Sequence, residues 1–328
     1  MYESLVRKSL ATTEGTPPIE PVLAESWEQS ADGLTWTFNL RQGVTFHDGT
    51  PFNAAAVFRN FQRNYPGSVN YYDGAWHGIY AFAKIAAEED VKVIDDYTIS
   101  FTHTEPVGEF LGLMGDYYFF GIISPTALDT YGNDGIVENP SGTGAFQHVE
   151  RVSGDHTTFA RFENYWGEKA WLDQLIVRPI LDDQARVIAL QGGEIDLMSD
   201  PPPDSIQSLV DAGYQLSQGV TPQVAYYYMN FKNEFASNKL VRQAISHAIN
   251  RDVLAKDLFL DTVIPSYGIL SPGMPAYDPA FVSQEFNPDK ARELLAEAGY
   301  PDGFKSLWCT TPTASGWPLA GIVAQYIQ

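Results

Sequence analysis

At 328 residues, 44% of them hydrophobic and 13% aromatic, the chain can bury one large core or two ordinary ones, so two lobes are expected. The 20 Lys plus Arg stand against 41 Asp plus Glu, a net charge of −21, and such a surface repels phosphate backbones and anionic lipid, which argues against nucleic acid as a partner. Cys309 is the single cysteine, which excludes an internal disulfide, a thiolate zinc cluster and a CxxC redox pair.

The chain opens at Met1–Val6 on sequence that reads as already folded, without the basic, apolar and cleavage regions of a secretory leader; this is the start of a cytosolic protein or a missing beginning. Trp36, Phe38 and Leu40 alternate with polar neighbours between Asp32-Gly33 and Gln42-Gly43, the pattern of a strand with one buried face and turns at both ends. Asn53 is placed to cap a helix whose stripe is Ala54, Val57, Phe58 and Phe61. Val91 and Val93, then Ile99 and Phe101, bracket Asp95-Asp96 as an antiparallel pair.

The most apolar run, Phe110 to Leu128, is interrupted by Asp116, Pro125 and several glycines and is no membrane span. Tyr226 to Phe231 reads as a strand, and Asn238 as the cap of a helix with Val241, Ala244, Ile245 and Ala248 on one face. Asn250 caps the next helix. Pro265 to Pro279 is a stiff loop. Asn287-Pro288-Asp289 supplies a cap, a first-turn proline and an acid for a helix along Ala291, Leu294, Leu295 and Ala298, which Gly299 ends. The last eight residues, 321–328, read as the middle of an amphipathic helix.

No phosphate-cradling GxxxxGK[ST], HExxH, GxSxG or dinucleotide glycine pattern is present. The six histidines are scattered and none falls at i,i+4 with another ligand type on one helix, so no metal site is assigned. Adjacent acids such as Asp95-Asp96 and Asp182-Asp183 follow from the abundance of carboxylates, and no catalytic residue and no cofactor are assigned. Aromatic density does stand out, at Tyr71-Tyr72 with Trp76-His77, at Tyr117 to Phe120 and at Tyr226 to Tyr228. Tyr and Trp pair a flat apolar body with a polar tip and suit a solute that is gripped and released, or else they fill sheet cores.

Leu23 to Trp27, Ser30 to Arg41 and Gly43 to Ala54 resemble the solute-binding proteins of ABC importers for peptides, nickel chelates and opines. The likeness continues in order through Gly142-Thr143-Gly144-Ala145-Phe146, Phe162 to Gly167, Ala189 to Leu197 and Val241 to Arg251. Asp32-Gly33 and His47-Asp48-Gly49 also read as hairpin turns, and Gly142 and Gly144 as positions with backbone angles that other residues resist.

The resemblance implies an α/β, two-lobed periplasmic-binding-protein-like fold of type II, with mixed sheets flanked by helices and an extra subdomain in lobe one. Lobe one would run over residues 1–231 with the subdomain at about 45–160, and 232–328 would begin an incomplete lobe two, the chain lacking both its beginning and its end. The implied function is to capture a small solute, a peptide or a nickel or other metal chelate, between the lobes and deliver it to membrane permease subunits. The implied protein is a monomer, periplasmic or anchored at the cell surface, with no nucleic-acid partner. Tyr72, Trp76, His77 and Tyr118 are the expected lobe-one wall, with the backbone of Gly142 to Gly144 beside them. The arginines that nickel-type members direct at chelate carboxylates are not evident, so a peptide or cationic solute is favoured. The rival readings are a hydrolase using a carboxylate in the cleft and a ligand-sensing regulatory domain.

Overall fold

The computed structural model describes residues 1–9, 17–72, 83–115, 120–220, 224, 226, 228–272, 274 and 276–305. The chain divides into two compact units, one ending at Pro179 and the other starting at Ile180 apart from a short early segment.

In the first unit, strands β1 (Val6–Lys8) and β2 (Ile19–Pro21) pair antiparallel. A four-stranded antiparallel sheet follows, in the order β3 (Ala24–Gln29), β4 (Thr35–Leu40), β6 (Thr98–Thr102), β5 (Val91–Asp95). The turn between β3 and β4 falls at Asp32-Gly33, where Gly33 takes φ 75° and the Asp32 carboxylate accepts from Leu34 N–H at 3.0 Å. β6 is central and buries Ile99, Ser100 and Phe101 in succession, whereas β5 at the edge buries only Val91. Helix α1 (Ala54–Asn64) starts where Asn53 accepts from Ala56 N–H at 2.9 Å, and it lays Val57 and Phe61 on the sheet. Phe61 packs 4.7 Å from Phe101, which meets Phe38 edge-on at 5.6 Å; the core is aromatic and wholly within this unit.

Helices α2 (Phe110–Met114) and α3 (Pro125–Gly135) come next. Asn60, buried in α1, closes a two-way clasp on the chain just before α3: it donates to Ile123 O at 2.8 Å and accepts from Ile123 N–H at 3.0 Å. A three-stranded antiparallel sheet, β7 (Phe146–Val152), β8 (His156–Arg161) and β9 (Gln174–Val177), completes the unit.

The second unit is helical, and no strand occurs among its described residues. Its helices are α4 (Asp183–Gln191), α5 (Pro203–Asp211), α6 (Glu234–Ser237), α7 (Lys239–Ala248), α8 (Arg251–Val253), which runs into a wide turn at Leu254–Leu258, and α9 (Pro288–Glu297). Ala244 of α7 packs with Ala291 and Leu294 of α9, so the stripes predicted for these two helices face each other. The expected strand at Tyr226 to Phe231 does not form: the described residues there pair with nothing in a sheet, and the rings of Tyr226 and Tyr228 stand exposed with their hydroxyls 2.9 Å apart. No helix among the described residues is long and apolar enough to cross a membrane.

Candidate functional site

Two polar clusters in the first unit fix what its surface can present. One ties the chain start to the Gly142–Gly144 segment. His47 sits in the turn His47-Asp48-Gly49, closed by a bridge between Thr45 and Pro51, with Gly49 at φ 84°. Its Nε2–H donates to Gly144 O at 2.8 Å, and because that carbonyl can only accept, Nδ1 is left to accept from Gly142 N–H at 3.3 Å. The backbone of His47 donates to Gly142 O at 2.8 Å, and Gly144 N–H donates to Met1 O at 2.8 Å. Burial pushes the His47 imidazole below its ordinary value of 6.5, so it is held neutral.

Four backbone groups of Gly142 and Gly144 are thus engaged within the unit. Neither glycine takes a positive φ, so the backbone-angle explanation gives way to one of space. A Cβ on Gly144 would lie 2.8 Å from Met1 O, and one on Gly142 would lie 2.7 Å from the Tyr2 ring and closer still to Met1 O.

The same segment carries Glu3. Its carboxylate accepts from Thr143 Oγ1 at 2.9 Å, Trp166 Nε1 at 2.8 Å and Tyr165 OH at 2.8 Å. The Arg41 guanidinium lies over the Trp166 ring at 4.2 Å. Burial and the Glu3 charge together push the Tyr165 phenol up.

The second cluster lies between α1 and α3. Arg59 and Arg63 are one helical turn apart and share a face of α1. Arg59 Nη2 reaches Asp129 at 3.4 Å, while its Nη1 is buried without a partner. Arg63 Nε donates to Asn133 Oδ1 at 2.6 Å. α3 is kinked at Gly132, whose φ of 69° and ψ of 177° only glycine adopts without strain, and the two residues after the kink meet this cluster. The Tyr72 hydroxyl donates to Asp134 Oδ1 at 3.0 Å, its backbone N–H to Arg63 O at 3.0 Å, and its ring lies under the Arg63 guanidinium at 5.6 Å. Burial pushes the Tyr2 phenol up to about 12, against the pull of Arg63.

Of the four predicted wall residues, Tyr72 is therefore held by three contacts and remains partly exposed. Trp76, His77 and Tyr118 lie outside the described residues. Sequence reasoning passed over Arg63 and Tyr2. The signal for Arg63 was its spacing of four from Arg59, whereas Tyr2 reaches the cluster only through the fold.

The model for bacterial extracellular solute-binding proteins, family 5 (middle), matches residues 18–328. The chain belongs to this family. It is 36% identical over 296 residues to the glutathione-binding protein GsiB of Salmonella typhimurium, covering 88% of this chain and 55% of the relative. It is 34% identical over 299 residues to that of Escherichia coli O157:H7, with the same coverage.

Among solved structures, the periplasmic binding protein DppA of Helicobacter pylori, in complex with the peptide STSA, superposes with a TM-score of 0.81 at 31% identity, over 93% of this chain and 62% of that one. AgaA of A. tumefaciens, in complex with agropinic acid, gives 0.78 at 27% identity over 93% and 59%. The chain has the mixed α/β fold, sheets flanked by helices, of these periplasmic binding proteins. This family 5 chain spans about half the length of the curated relatives it matches.

Proposed function

We propose that this protein is the solute-binding component of an ABC importer, which captures a peptide-like solute or a metal chelate between two lobes and hands it to permease subunits outside the cytoplasm. The observation that carries the reading is the likeness to glutathione-binding proteins across 88% of the chain, joined to a structural match with a peptide-bound DppA. These relatives carry the names of binding proteins. The lobe boundary near Phe231 and the wall formed by Tyr72, Trp76, His77 and Tyr118 are part of the same proposal. In such a carrier the solute shifts the open–closed balance only by its differential affinity for the closed state, so reversible release requires that each lobe grip it modestly.

A thermal-shift series on the purified protein tests the reading. Reduced glutathione, dipeptides, the tetrapeptide Ser-Thr-Ser-Ala and a nickel–histidine chelate are added in turn. At a hundredfold excess over Kd a true ligand stabilises by about 2.7 kcal/mol, which is an upward shift of several degrees. No shift with any of them at millimolar concentration refutes the proposal for this solute class.

A further inference from the structure

We propose that Arg63 of α1, supported by Arg59 one turn behind it and flanked by Tyr72, receives a carboxylate of the captured solute. The inference rests on the solute-binding reading above and deepens it, by naming the anionic group that the first unit recognises.

Three observations carry it. First, among the described residues the guanidiniums are short of partners, in a chain that has acids to spare. Acidic residues outnumber basic ones 41 to 20, yet no described carboxylate forms an ion pair with Arg63, and Arg59 has one pair, at 3.4 Å, with an Asp129 whose side chain is 70% exposed. Arg59 Nη1 is buried with no partner at all. A guanidinium has five N–H donors, and of those on Arg63 only Nε–H is spoken for among the described residues, by the neutral amide of Asn133.

Second, the acid beside Asn133 is paired with Tyr72 instead. Asp134 stands next to Asn133 at the α3 kink, and its Oδ1 accepts the Tyr72 hydroxyl. Tyr72 thus engages one oxygen of Asp134 and places its ring under the guanidinium, 5.6 Å from the ring centroid to Cζ, a contact that holds the fork without using its donors.

Third, the two cations repel each other in a partly buried setting: burial and the Arg59 charge both lower the Arg63 pKa, and among the described residues the phenols of Tyr2 and Tyr72 oppose them. A carboxylate docking in the two-pronged geometry that guanidinium favours would relieve both the repulsion and the unmet donors. An arginine serving only to hold α1 to α3 would be expected to meet Asp134 directly.

The test is calorimetric titration with peptides presented as free acids and as their C-terminal amides, using the purified protein and its Arg63→Gln and Arg63→Lys variants. Wild type is expected to bind the free acid at least about 30-fold more tightly than the amide, the scale of one charge-assisted hydrogen-bond pair. Arg63→Gln should lose about the same factor for the acid and nothing for the amide, and Arg63→Lys should fall between, since a point charge replaces a fork.

Equal affinity of wild type for acid and amide overturns the inference without any variant, and so does an Arg63→Gln protein that melts like wild type and binds the acid undiminished. In both of those outcomes solute binding itself stands. Failure of wild type to bind any peptide overturns this inference, and failure with the nickel–histidine chelate as well overturns the solute-binding reading.

Discussion

Replacing Glu3 by Ala should destabilise the first unit more than replacement by Gln, for a reason visible in its three hydrogen bonds. Oε2 accepts from both Thr143 Oγ1 and Trp166 Nε1, and Oε1 accepts from Tyr165 OH. Glu3→Ala strands all three donors. Each unsatisfied buried group costs about 1–3 kcal/mol. Thr143 is fully buried, whereas Tyr165 and Trp166 are partly exposed, so water can take over part of their bonding. Counting Thr143 in full and the other two at half gives about 2–6 kcal/mol, and the middle of that range, about 4 kcal/mol, lowers Tm by about 8–16 °C for a unit of this size.

Glu3→Gln behaves differently. The amide oxygen can face Thr143 and the indole, neither of which needs to change role, and the amide nitrogen then faces Tyr165, whose hydroxyl can accept as well as donate. The cost reduces to weakening charge-assisted bonds, about 1 kcal/mol, or about 2–4 °C. Thermal unfolding followed through tryptophan fluorescence measures both. If Glu3→Ala and Glu3→Gln melt together within about 2 °C of wild type, the carboxylate is not the pin described here.

Asn60→Ala should cost about 2–4 kcal/mol, because it removes both halves of the clasp and leaves Ile123 N–H and O without a side-chain partner; chemical denaturation with an unchanged m-value would show it. Gly142→Ala forces a methyl against Met1 O and the Tyr2 ring, and overpacking of about 1–3 kcal/mol should appear as a lower denaturation midpoint. His47 sets a pH dependence. Its folded pKa lies below 6.5, so on acidification from pH 7 the unfolded chain takes up a proton that the folded chain refuses, and stability falls as pH drops below about 6.5. Melting curves between pH 7 and 5 should therefore slope less steeply for His47→Asn than for wild type; equal slopes would exclude His47 as the titrating group, leaving the similarly lowered His103 as the candidate.

The local part of this fold was legible because caps and turns act within a few residues. Asn53, Asn238, Asn250 and Asn287 each accept from a backbone N–H two or three positions on, and the helices begin where those side chains put them. Asn238 also ends α6, a double role that a cap pattern alone does not reveal. The β5–β6 pair formed at the predicted residues around Asp95-Asp96 because period-two alternation and turn chemistry agreed there. The strand read into Tyr226 to Phe231 had the right residue types, but β-propensity measures fit to a neighbouring strand, and none pairs with these residues.

What stayed hidden was long-range. Glu3 meets partners about 140 and more residues away, Asn60 clasps a backbone 63 residues on, and Arg63 meets Asn133 just past the bend of α3 at Gly132. No periodicity encodes such meetings. Aromatic clustering pointed to Tyr72, while its basic partner Arg63, nine residues earlier in α1, belongs to no aromatic cluster or motif.

The central claim is that this protein grips a small solute reversibly and leaves it unaltered. Calorimetric titration of the purified protein with reduced glutathione and short peptides, followed by mass spectrometry of the solute recovered after dialysis, tests that claim most directly. The account predicts a saturable isotherm of one solute per chain and recovery of the unchanged compound. A recovered product of different mass, or heats indistinguishable from dilution for the whole series, would contradict it.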